Sequence, residues 1–347
     1  MTAAPEALEF AATVRDLLAR SADSVALRVA WDSDDGRIPG LWSSLAGLGA
    51  LGLVVPDKYG GAGLDLTAAV PLLTEAGRAC LPEPVLETIA GAVVLAVADG
   101  DAAEHWLPRV AEGASIGLGV GPGALVSGAP WADLLLLADG KEIHALAPGD
   151  AVVAPVESAD RGVRLATVEW TAEPATRLGI DVGFAQDVVA VASAAVLVGA
   201  AEAMLDMAVK YALTREQFGR VIGSFQAVKH QLADCYVATS FAAPVVARGA
   251  WAMTRDEPGR TRNSSHAKLA VSAAAARAAR TALQVHAGIG YTFEHDLHMW
   301  LKRTWTLRSL YGDETWHRAR AAAAVLGVTP GAVEGNGSDA SLGTLPT

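Results

Sequence analysis

The stretch from Val188 to Ala201 constrains the fold more than any other part of the chain, because none of its residues carries a charge. A helix that is apolar on every side has to be buried on every side. The run is shorter than the roughly 18 uncharged residues that a membrane-spanning helix needs. Helical spacing continues beyond the run, at Leu197, Ala201, Met204, Leu205, Ala208 and Tyr211. We therefore expect a long core helix rather than a membrane segment.

Size, cysteine content and charge narrow the class of protein. The 347 residues suffice for two or three domains with a large core. Cys80 and Cys235 are far apart and have no metal-ligand pattern beside them, so we expect a reducing compartment and no metal site. The acidic, amphipathic N-terminus does not resemble a signal peptide, which favours a cytoplasmic location. A formal charge of −11 argues against nucleic acid or an anionic membrane as partner.

Three regions and a tail follow one another along the chain. Residues 1–114 predict helices, at 5–31, 66–79, 87–97 and 102–112. Residues 115–180 contain short apolar or alternating runs, and Asp139-Gly140 between two of them predicts a β-hairpin. Residues 181–327 return to helix, and the polar residues 328–347 predict a disordered tail.

The expected fold class is therefore α+β and mainly α. It comprises an N-terminal helical domain, a small central β domain and a C-terminal antiparallel four-helix bundle. Within the bundle, Ser224 is the expected N-cap of one helix and Gly288 is expected to end another. The last helix is expected at 315–325.

A polar turn interrupts the plain alanine-rich and leucine-rich helices at Arg215–Asp234, with the sequence REQFGRVIGSFQAVKHQLAD. The guanidinium of Arg215 offers a fork of donors that suits a phosphate, and glycines allow close approach of the backbone. Turns between buried helices lie at the surface and are usually polar even where they bind no ligand. On its own, the segment favours a solvated corner over an anion-binding site.

Three blocks, in order, resemble the signature of the acyl-CoA dehydrogenase family. The first is this polar turn, with the matching residues Arg215, Gln217, Phe218, Gly219, Phe225, Gln226, Ala233 and Asp234. The second is QVHAGIGYTFEHDLHMWLKR at 284–303. The third is LGALGLVVPDKYGGAGLDL at 48–66, followed by EAGRACLPEP at 75–84. The order of a helical region, a β region and a second helical region also matches the family. The resemblance covers the chain from about residue 40 to 320.

The resemblance implies a flavoprotein that binds FAD between the β domain and the bundle, across a subunit interface. The polar turn would touch the pyrophosphate and adenosine of a neighbouring subunit's FAD, and the second block would approach the same dinucleotide. The implied contacts are Arg215, Gln217, Phe218, Gln284, Gly288 and Gly290. Ala287 stands where the family usually has a glycine, and its methyl group would weaken a close backbone contact.

The implied reaction removes an α proton from an acyl-CoA thioester while a hydride leaves the β carbon for the flavin. It needs a carboxylate base with a tuned pKa. The two places that hold this glutamate in relatives fall on Tyr311 or Gly312 and on Val189, and none of these is a carboxylate. The remaining candidates are Asp187, Asp313 and Glu314.

The β region departs from the family as well. Relatives usually carry a Thr-Glu-Pro-x-x-Gly-Ser-Asp segment that holds the flavin ring, and this chain has GLGVGPGALVSGAP at 117–130. No Lys-Ser or Lys-Thr follows, which argues against a phosphate-binding loop. We therefore expect this chain's own flavin site to be altered.

Other chemistry is less favoured. His295 and His298 have the spacing of a helix face but lack a third ligand, which argues against a metal site. Ser127 and Ser224 lack the elbow motif of serine hydrolases. The group formed by Trp300, Arg303, Trp305 and Arg308 fits an interface better than a nucleic-acid surface.

Three hypotheses remain. The chain is an FAD-dependent enzyme that desaturates an acyl-CoA, or a catalytically silent subunit that completes the FAD site of a partner chain, or a helical binding module without flavin. The first two imply a homo- or hetero-oligomer, expected to be a tetramer, and an electron-transfer flavoprotein as acceptor. The third is least favoured, because it leaves the polar turn unexplained.

Overall fold

The computed structural model describes residues 4–98 and 101–327, so the predicted disordered tail lies outside the described residues. The helices are α1 (Pro5–Ser21), α2 (Ser24–Asp32), α3 (Leu41–Gly47), α4 (Leu66–Arg78), α5 (Val85–Leu95), α6 (Asp101–Glu112), α7 (Val182–Thr214), α8 (Gln226–Thr254), α9 (Arg260–His286), α10 (Leu297–Ser309) and α11 (Glu314–Leu326). The strands are β1 (Ile116–Gly119), β2 (Leu125–Ser127), β3 (Leu134–Asp139), β4 (Glu142–Leu146), β5 (Val152–Val156), β6 (Leu165–Glu169), β7 (Arg177–Asp181), β8 (Glu216–Gln217) and β9 (Arg220–Val221). Helices precede and follow the sheet, which confirms the predicted fold class.

The N-terminal helices begin where capping side chains are available. The single helix predicted over residues 5–31 is two helices, because Asp23 accepts a hydrogen bond from the Ala26 amide and starts α2. Asp65 caps α4 in the same way, through the amides of Thr67 and Ala68. Local capping therefore overrides a continuous apolar stripe.

The central sheet has seven strands in the order β5-β6-β2-β1-β3-β4-β7. Strands β1 and β3 are parallel, and the other neighbours are antiparallel. The predicted hairpin is present: Asp139 pairs with Glu142, and Gly140 adopts a positive φ of 57°. The run from Leu134 to Leu137 is buried throughout, as expected for a strand that is covered on both faces.

Helix α7 lies at the centre of the molecule. It packs against α4, α5, α8, α9 and α10. By length and composition α7 could cross a membrane, but 94% of its apolar window is buried inside the fold, as in the core helix of a soluble protein. Its contact with α4 is unusually close, because a Cβ at Gly77 or Gly199 would overlap the backbone of the other helix.

Two of the helix-boundary predictions differ from the structure. Ser224 is not an N-cap: its hydroxyl donates to the Val221 carbonyl at 2.7 Å, and Phe225 holds the cap position without a side-chain bond. A preceding 3-10 turn binds the serine and removes it from the helix end. Helix α9 ends at His286, two residues before Gly288, because Ala287 leaves the helical conformation with φ 51°.

A buried ion pair joins the sheet to the helices. Arg303 and Asp160 are both almost fully buried, and the Arg303 Nε lies 2.5 Å from the Asp160 Oδ2. Arg303 also donates to the Leu81 carbonyl at 2.8 Å. The expected interface role of Arg303 and of Trp300 is wrong, since both side chains are buried inside the chain, whereas Trp305 is half exposed.

We expect Arg303→Met to destabilise the chain by roughly 3–5 kcal/mol, because it leaves the Asp160 carboxylate buried without a partner. The matched control is Arg161→Met, since the pair formed by Arg161 and Asp32 is exposed on both sides. We expect that control to cost less than about 1 kcal/mol. Urea unfolding measures both, and equal losses would contradict the assignment.

Candidate cofactor and partner-facing site

The corner between α7 and α8 is a two-stranded hairpin made by β8 and β9. Its two turn residues, Phe218 and Gly219, have φ angles of 53° and 77°. A turn with positive φ at both central positions matches the twist of a hairpin, and glycine adopts it readily. Phenylalanine does not, because its Cβ then crowds the following carbonyl group.

Phe218 is held in this unfavourable conformation while 93% of its surface is exposed. Its aromatic neighbour within the chain is Phe225, edge-on at 6.2 Å between ring centroids. The left-handed conformation costs an L-residue roughly 1–2 kcal/mol. Strain of this kind is concentrated at functional sites, where a ligand or partner uses the side chain.

Arg215 has a fixed backbone and an exposed side chain. Its amide donates to the Tyr211 carbonyl at 2.9 Å, and its carbonyl accepts from the Ile222 amide at 2.8 Å. Across residues 4–98 and 101–327, its guanidinium forms no ion pair. Gln217 is also exposed, and its Nε2 donates to the neighbouring Glu216 carbonyl. The corner therefore presents a cation, an amide and an aromatic ring to solvent.

The second block lies at the same end of the bundle. The Tyr211 ring stacks on the His286 ring at 4.6 Å with an interplanar angle of 25°. Tyr211 is one helical turn before Arg215, and His286 is two residues after Gln284. The fold thus brings together two motifs that are about 70 residues apart in sequence, as the helix–helix packing of an antiparallel bundle requires.

The loop after α9 explains why glycine is usual there. Ala287 has φ 51° and ψ −135°, a conformation that glycine adopts far more readily than alanine. Gly288 is exposed, and a Cβ there would meet no atom within 4 Å. Gly290 is buried against His286, where a Cβ would come within 3.0 Å of the His286 Cβ. Gly288 therefore leaves room for a ligand, whereas Gly290 allows the loop to close.

A groove of about 470 Å³ lies between the sheet and the C-terminal helices. Its lining includes Gly121–Gly123, Glu157–Ala159, Trp305, Ser309 and Tyr311. An aromatic ring system fits this volume, but the lining holds an acidic side chain and no basic one. The groove can accept a flavin ring and offers no cation for its pyrophosphate, whereas the Arg215 corner offers a cation without a groove.

The position at which the resemblance places the base is tightly packed at Gly312. Gly312 has φ 101°, and a Cβ there would overlap the indole ring of Trp316. Tyr311 is buried, also has a positive φ of 62°, and donates from its hydroxyl to Glu87 at 3.2 Å. The second position, Val189, is fully buried in α7. In this conformation Val189 faces the core and a side chain at Gly312 would meet Trp316, whereas Tyr311 lines the groove.

Asp187, the first of the three remaining candidates, lies near the start of α7 and is fully buried. Its Oδ1 is 2.9 Å from an Arg320 nitrogen, and its Oδ2 accepts from the Thr261 hydroxyl at 2.7 Å. Burial raises the pKa of Asp187, and the Arg320 charge opposes that rise. These contacts tie α7 to α9 and α11.

Asp313 and Glu314 sit at the start of α11. Asp313 caps that helix by accepting from the Trp316 amide at 2.8 Å. Glu314 is paired with Arg308 at 2.6 Å and with Arg318 at 3.1 Å. The hydrogen bond from Arg308 is the main cause that holds the pKa of Glu314 below its usual value, which weakens it as a base.

The sequence analysis missed Glu87, which contacts the base position directly. This buried carboxylate accepts from the Ser127 hydroxyl at 2.5 Å and from Tyr311, and burial raises its pKa. It lines a cavity of about 30 Å³ with Glu83, whose pKa burial raises to about 7. Such a cavity holds a water molecule, not an acyl chain. The signal in the sequence is a carboxylate inside the apolar helix VLETIAGAVVL.

Lys268 was missed as well. Its amine is completely buried in α9 and donates to the carbonyls of Leu307 and Leu310, at 2.6 and 3.0 Å, and to the Ser193 hydroxyl at 2.9 Å. It therefore holds the end of α10 immediately before Tyr311. Burial lowers the pKa of Lys268 to about 7.

The histidines do not assemble a metal site in the described parts of the chain, where no group of three or more ligands is found. His295 packs against His286, and His298 packs edge-on against Trp31 and Phe293. Burial is the main cause that lowers the pKa of His298, to about 4, so this ring is neutral at pH 7.

Comparison with known families and relatives agrees with this fold. The description "Acyl-CoA dehydrogenase, N-terminal domain" matches residues 4–114, and "Acyl-CoA dehydrogenase, C-terminal domain" matches residues 187–326. Acyl-CoA dehydrogenase IpdE2 of Mycobacterium tuberculosis is 40% identical over 294 residues, which cover 84% of this chain and 88% of that protein.

Two solved structures share the fold. One, described as a Tcur3481-Tcur3483 steroid ACAD G363A variant, is 25% identical with a TM-score of 0.84. The other, the ChsE4-ChsE5 complex from Mycobacterium tuberculosis, is 22% identical with a TM-score of 0.85. Each comparison covers 94% of this chain and 99% of the other.

We expect Phe218→Asn to leave the free energy of unfolding unchanged or to raise it by about 1 kcal/mol, because asparagine tolerates positive φ. Phe218→Ala is the control, since alanine removes the ring and keeps the strain. Denaturant unfolding of both variants measures the difference. A marked loss of stability in the asparagine variant would show that the ring serves the fold of the chain itself.

We expect Lys268→Met to change how stability depends on pH. The folded pKa of Lys268 is about 7 and the ordinary value is 10.5. The unfolded chain therefore binds more protons between these values, and stability from this group rises with pH across that window. Below about pH 7 the amine is protonated in both states, and the stability gained from Lys268 at high pH is lost. The methionine variant should lose this slope, as measured by urea unfolding between neutral and alkaline pH; an unchanged slope would contradict the assignment.

Proposed function

The chain belongs to the acyl-CoA dehydrogenase family, and from that premise we propose that it completes the FAD site of a partner chain in a two-chain dehydrogenase. The partner supplies the catalytic base and the acyl-CoA pocket. Together the two chains desaturate an acyl-CoA in the cytoplasm as a heterotetramer and pass electrons to an electron-transfer flavoprotein. This chain is the silent subunit of that assembly.

The observation that carries the proposal is the exposed corner at Arg215 and Phe218. Phe218 has a strained backbone and is 93% exposed, and Arg215 has no ion-pair partner in the described residues. Neither feature stabilises this chain alone. Both side chains would contact the dinucleotide of a neighbouring chain if it lay against this corner. Guanidinium groups bind phosphates through paired hydrogen bonds, and aromatic rings stack on bases.

The residues of the corner divide the binding of FAD between them. Arg215 would hold the pyrophosphate, Phe218 would stack on the adenine, and Gln217 and Gln284 would offer hydrogen bonds to the adenosine. Gly288 leaves space for the approach. When bound, FAD supplies the electron sink for the hydride.

The state of this chain's own base positions supports the silent role. Gly312 has no room for a side chain beside Trp316, and Val189 is inside the core. The relatives named as pairs, Tcur3481-Tcur3483 and ChsE4-ChsE5, fit a two-chain arrangement.

A self-sufficient dehydrogenase is the second candidate, and Glu87 is the observation in its favour. This carboxylate has a raised pKa and touches Tyr311, beside the usual base position. It would need the cavity to open before it could reach an α proton. That requirement makes it the weaker candidate.

We expect the chain purified alone to be colourless and to gain flavin absorbance when co-expressed with a family member that keeps a glutamate at a base position. In that complex, Arg215→Ala should weaken FAD binding roughly 10- to 100-fold, the effect of losing a hydrogen bond to a charged group. The control is Arg255→Ala, since Arg255 is exposed at the far end of α8.

Two results would contradict the silent role. One is a yellow chain when expressed alone that turns over an acyl-CoA and is inactivated by Glu87→Gln, which would establish the second candidate. The other is full retention of flavin in the complex with Arg215→Ala, which would remove the corner from the cofactor site.

A further inference from the structure

Helix α8 presents much of its surface to solvent. Eight of its 29 residues are buried, and none of these lies in its first nine residues, 226–234. Ala233, Val237, Phe241 and Pro244 follow helical spacing on one face, and all four are exposed. Phe241 is 77% and Val237 52% exposed. An apolar stripe on the outside of a helix indicates a surface that another protein covers.

A groove of about 430 Å³ runs beside this stripe, between α8, α9 and the corner that joins α10 to α11. Its floor is made of small side chains, namely Ala238, Ala270, Ala273, Ala274 and Ala276. Side-chain size sets the distance between packed helices, so alanines allow a further helix to come close. We call the α8 stripe and this groove together the α8–α9 face.

The groove is basic although the chain is acidic. Its lining holds three guanidinium groups and one carboxylate, a net charge of two positive, in a chain with a formal charge of −11. Arg308 is paired with Glu314 at 2.6 Å. Arg277 and Arg280 are exposed and form no ion pair within the part of the chain that the structure describes.

The α8–α9 face is continuous with the cofactor corner. Arg215 precedes the hairpin that carries Phe218, and helix α8 starts at Gln226, after a short 3-10 turn at Ile222–Ser224 that follows the hairpin. A chain that covers the start of α8 therefore also lies beside that corner. The neighbour whose dinucleotide reaches Arg215 and the neighbour that covers the stripe are then one chain.

We propose that the α8–α9 face binds an acidic helix of the partner chain, and that its charge selects a different chain over a second copy. The proposal rests on the two-chain function proposed above. In a symmetric dimer the same patch meets itself, which would bring two basic grooves together. Like charges across an interface disfavour the wrong partner, while opposite charges favour the right one.

The test measures how the wild-type chain pairs with a charge-reversed variant of itself. Arg277→Glu combined with Arg280→Glu turns the rim of the groove acidic, and both positions are exposed, so folding is retained. We expect the wild-type chain mixed with this double variant to form mixed pairs at least roughly tenfold more tightly than either chain pairs with itself. Native mass spectrometry of mass-labelled chains measures the mixed and unmixed pairs.

The control carries the same charge change elsewhere. Arg255→Glu combined with Arg262→Glu reverses two exposed charges at the other end of the α8–α9 hairpin. This control should not form mixed pairs with the wild type in excess. The mixed pairs of the groove variant should also weaken as salt is raised, since salt screens charges at a distance.

Three outcomes would overturn the proposal: equal pairing in all mixtures, excess mixed pairs in the control mixture, or wild-type chains that pair with themselves as tightly as the mixed pair does. Phe241→Ser gives a second measurement, since loss of an exposed aromatic anchor should weaken mixed pairing without a change in charge. Flavin content is measured separately. Selective pairing without flavin would therefore count against the proposed function alone.

Discussion

The burial of α7 is the constraint on which the rest of the structure depends. The stretch of α7 from Val188 to Ala201 is buried on every side, so helices from both ends of the chain must surround it. Gly77 and Gly199 let α4 pack backbone to backbone against it. Once α7 is fixed, its start holds the Asp187 network and its end presents Arg215. The two ends of one rigid helix thus set the distance between the closed base position and the open corner.

Much of the fold could be predicted from the sequence, because periodicity and turn residues act locally. The core helix and the Asp139-Gly140 hairpin depend on such local signals. The contact between Glu87 and Tyr311 could not be predicted, since it joins residues 224 apart and depends on tertiary packing. Lys268 was missed for the same reason: a lysine in an alanine-rich helix predicts an exposed position, but carbonyls from a distant helix end satisfy its amine.

For the candidate site, the sequence predicts which residues take part and does not predict how they are held. The resemblance pointed to Arg215 and Phe218, and the missing carboxylate at Gly312 was visible in the sequence. The positive φ of Phe218 and the indole ring of Trp316 against Gly312 were not visible, because backbone strain and steric overlap appear only in three dimensions. These two facts describe an exposed corner with a strained backbone and a tightly packed position at Gly312, which the residue types alone leave undecided.

The tight packing around Tyr311 and Gly312 also has an energetic explanation. An active site keeps a cavity and unpaired polar groups ready for substrate, and both reduce stability. In this chain Tyr311 fills the space and Glu87 accepts its hydroxyl, while Lys268 closes the end of α10. A chain that performs no chemistry can satisfy its buried groups in this way, provided that its partner keeps the pocket open. Under the proposed function, strain remains at Phe218, where the partner would use it, and packing improves where no ligand has to enter.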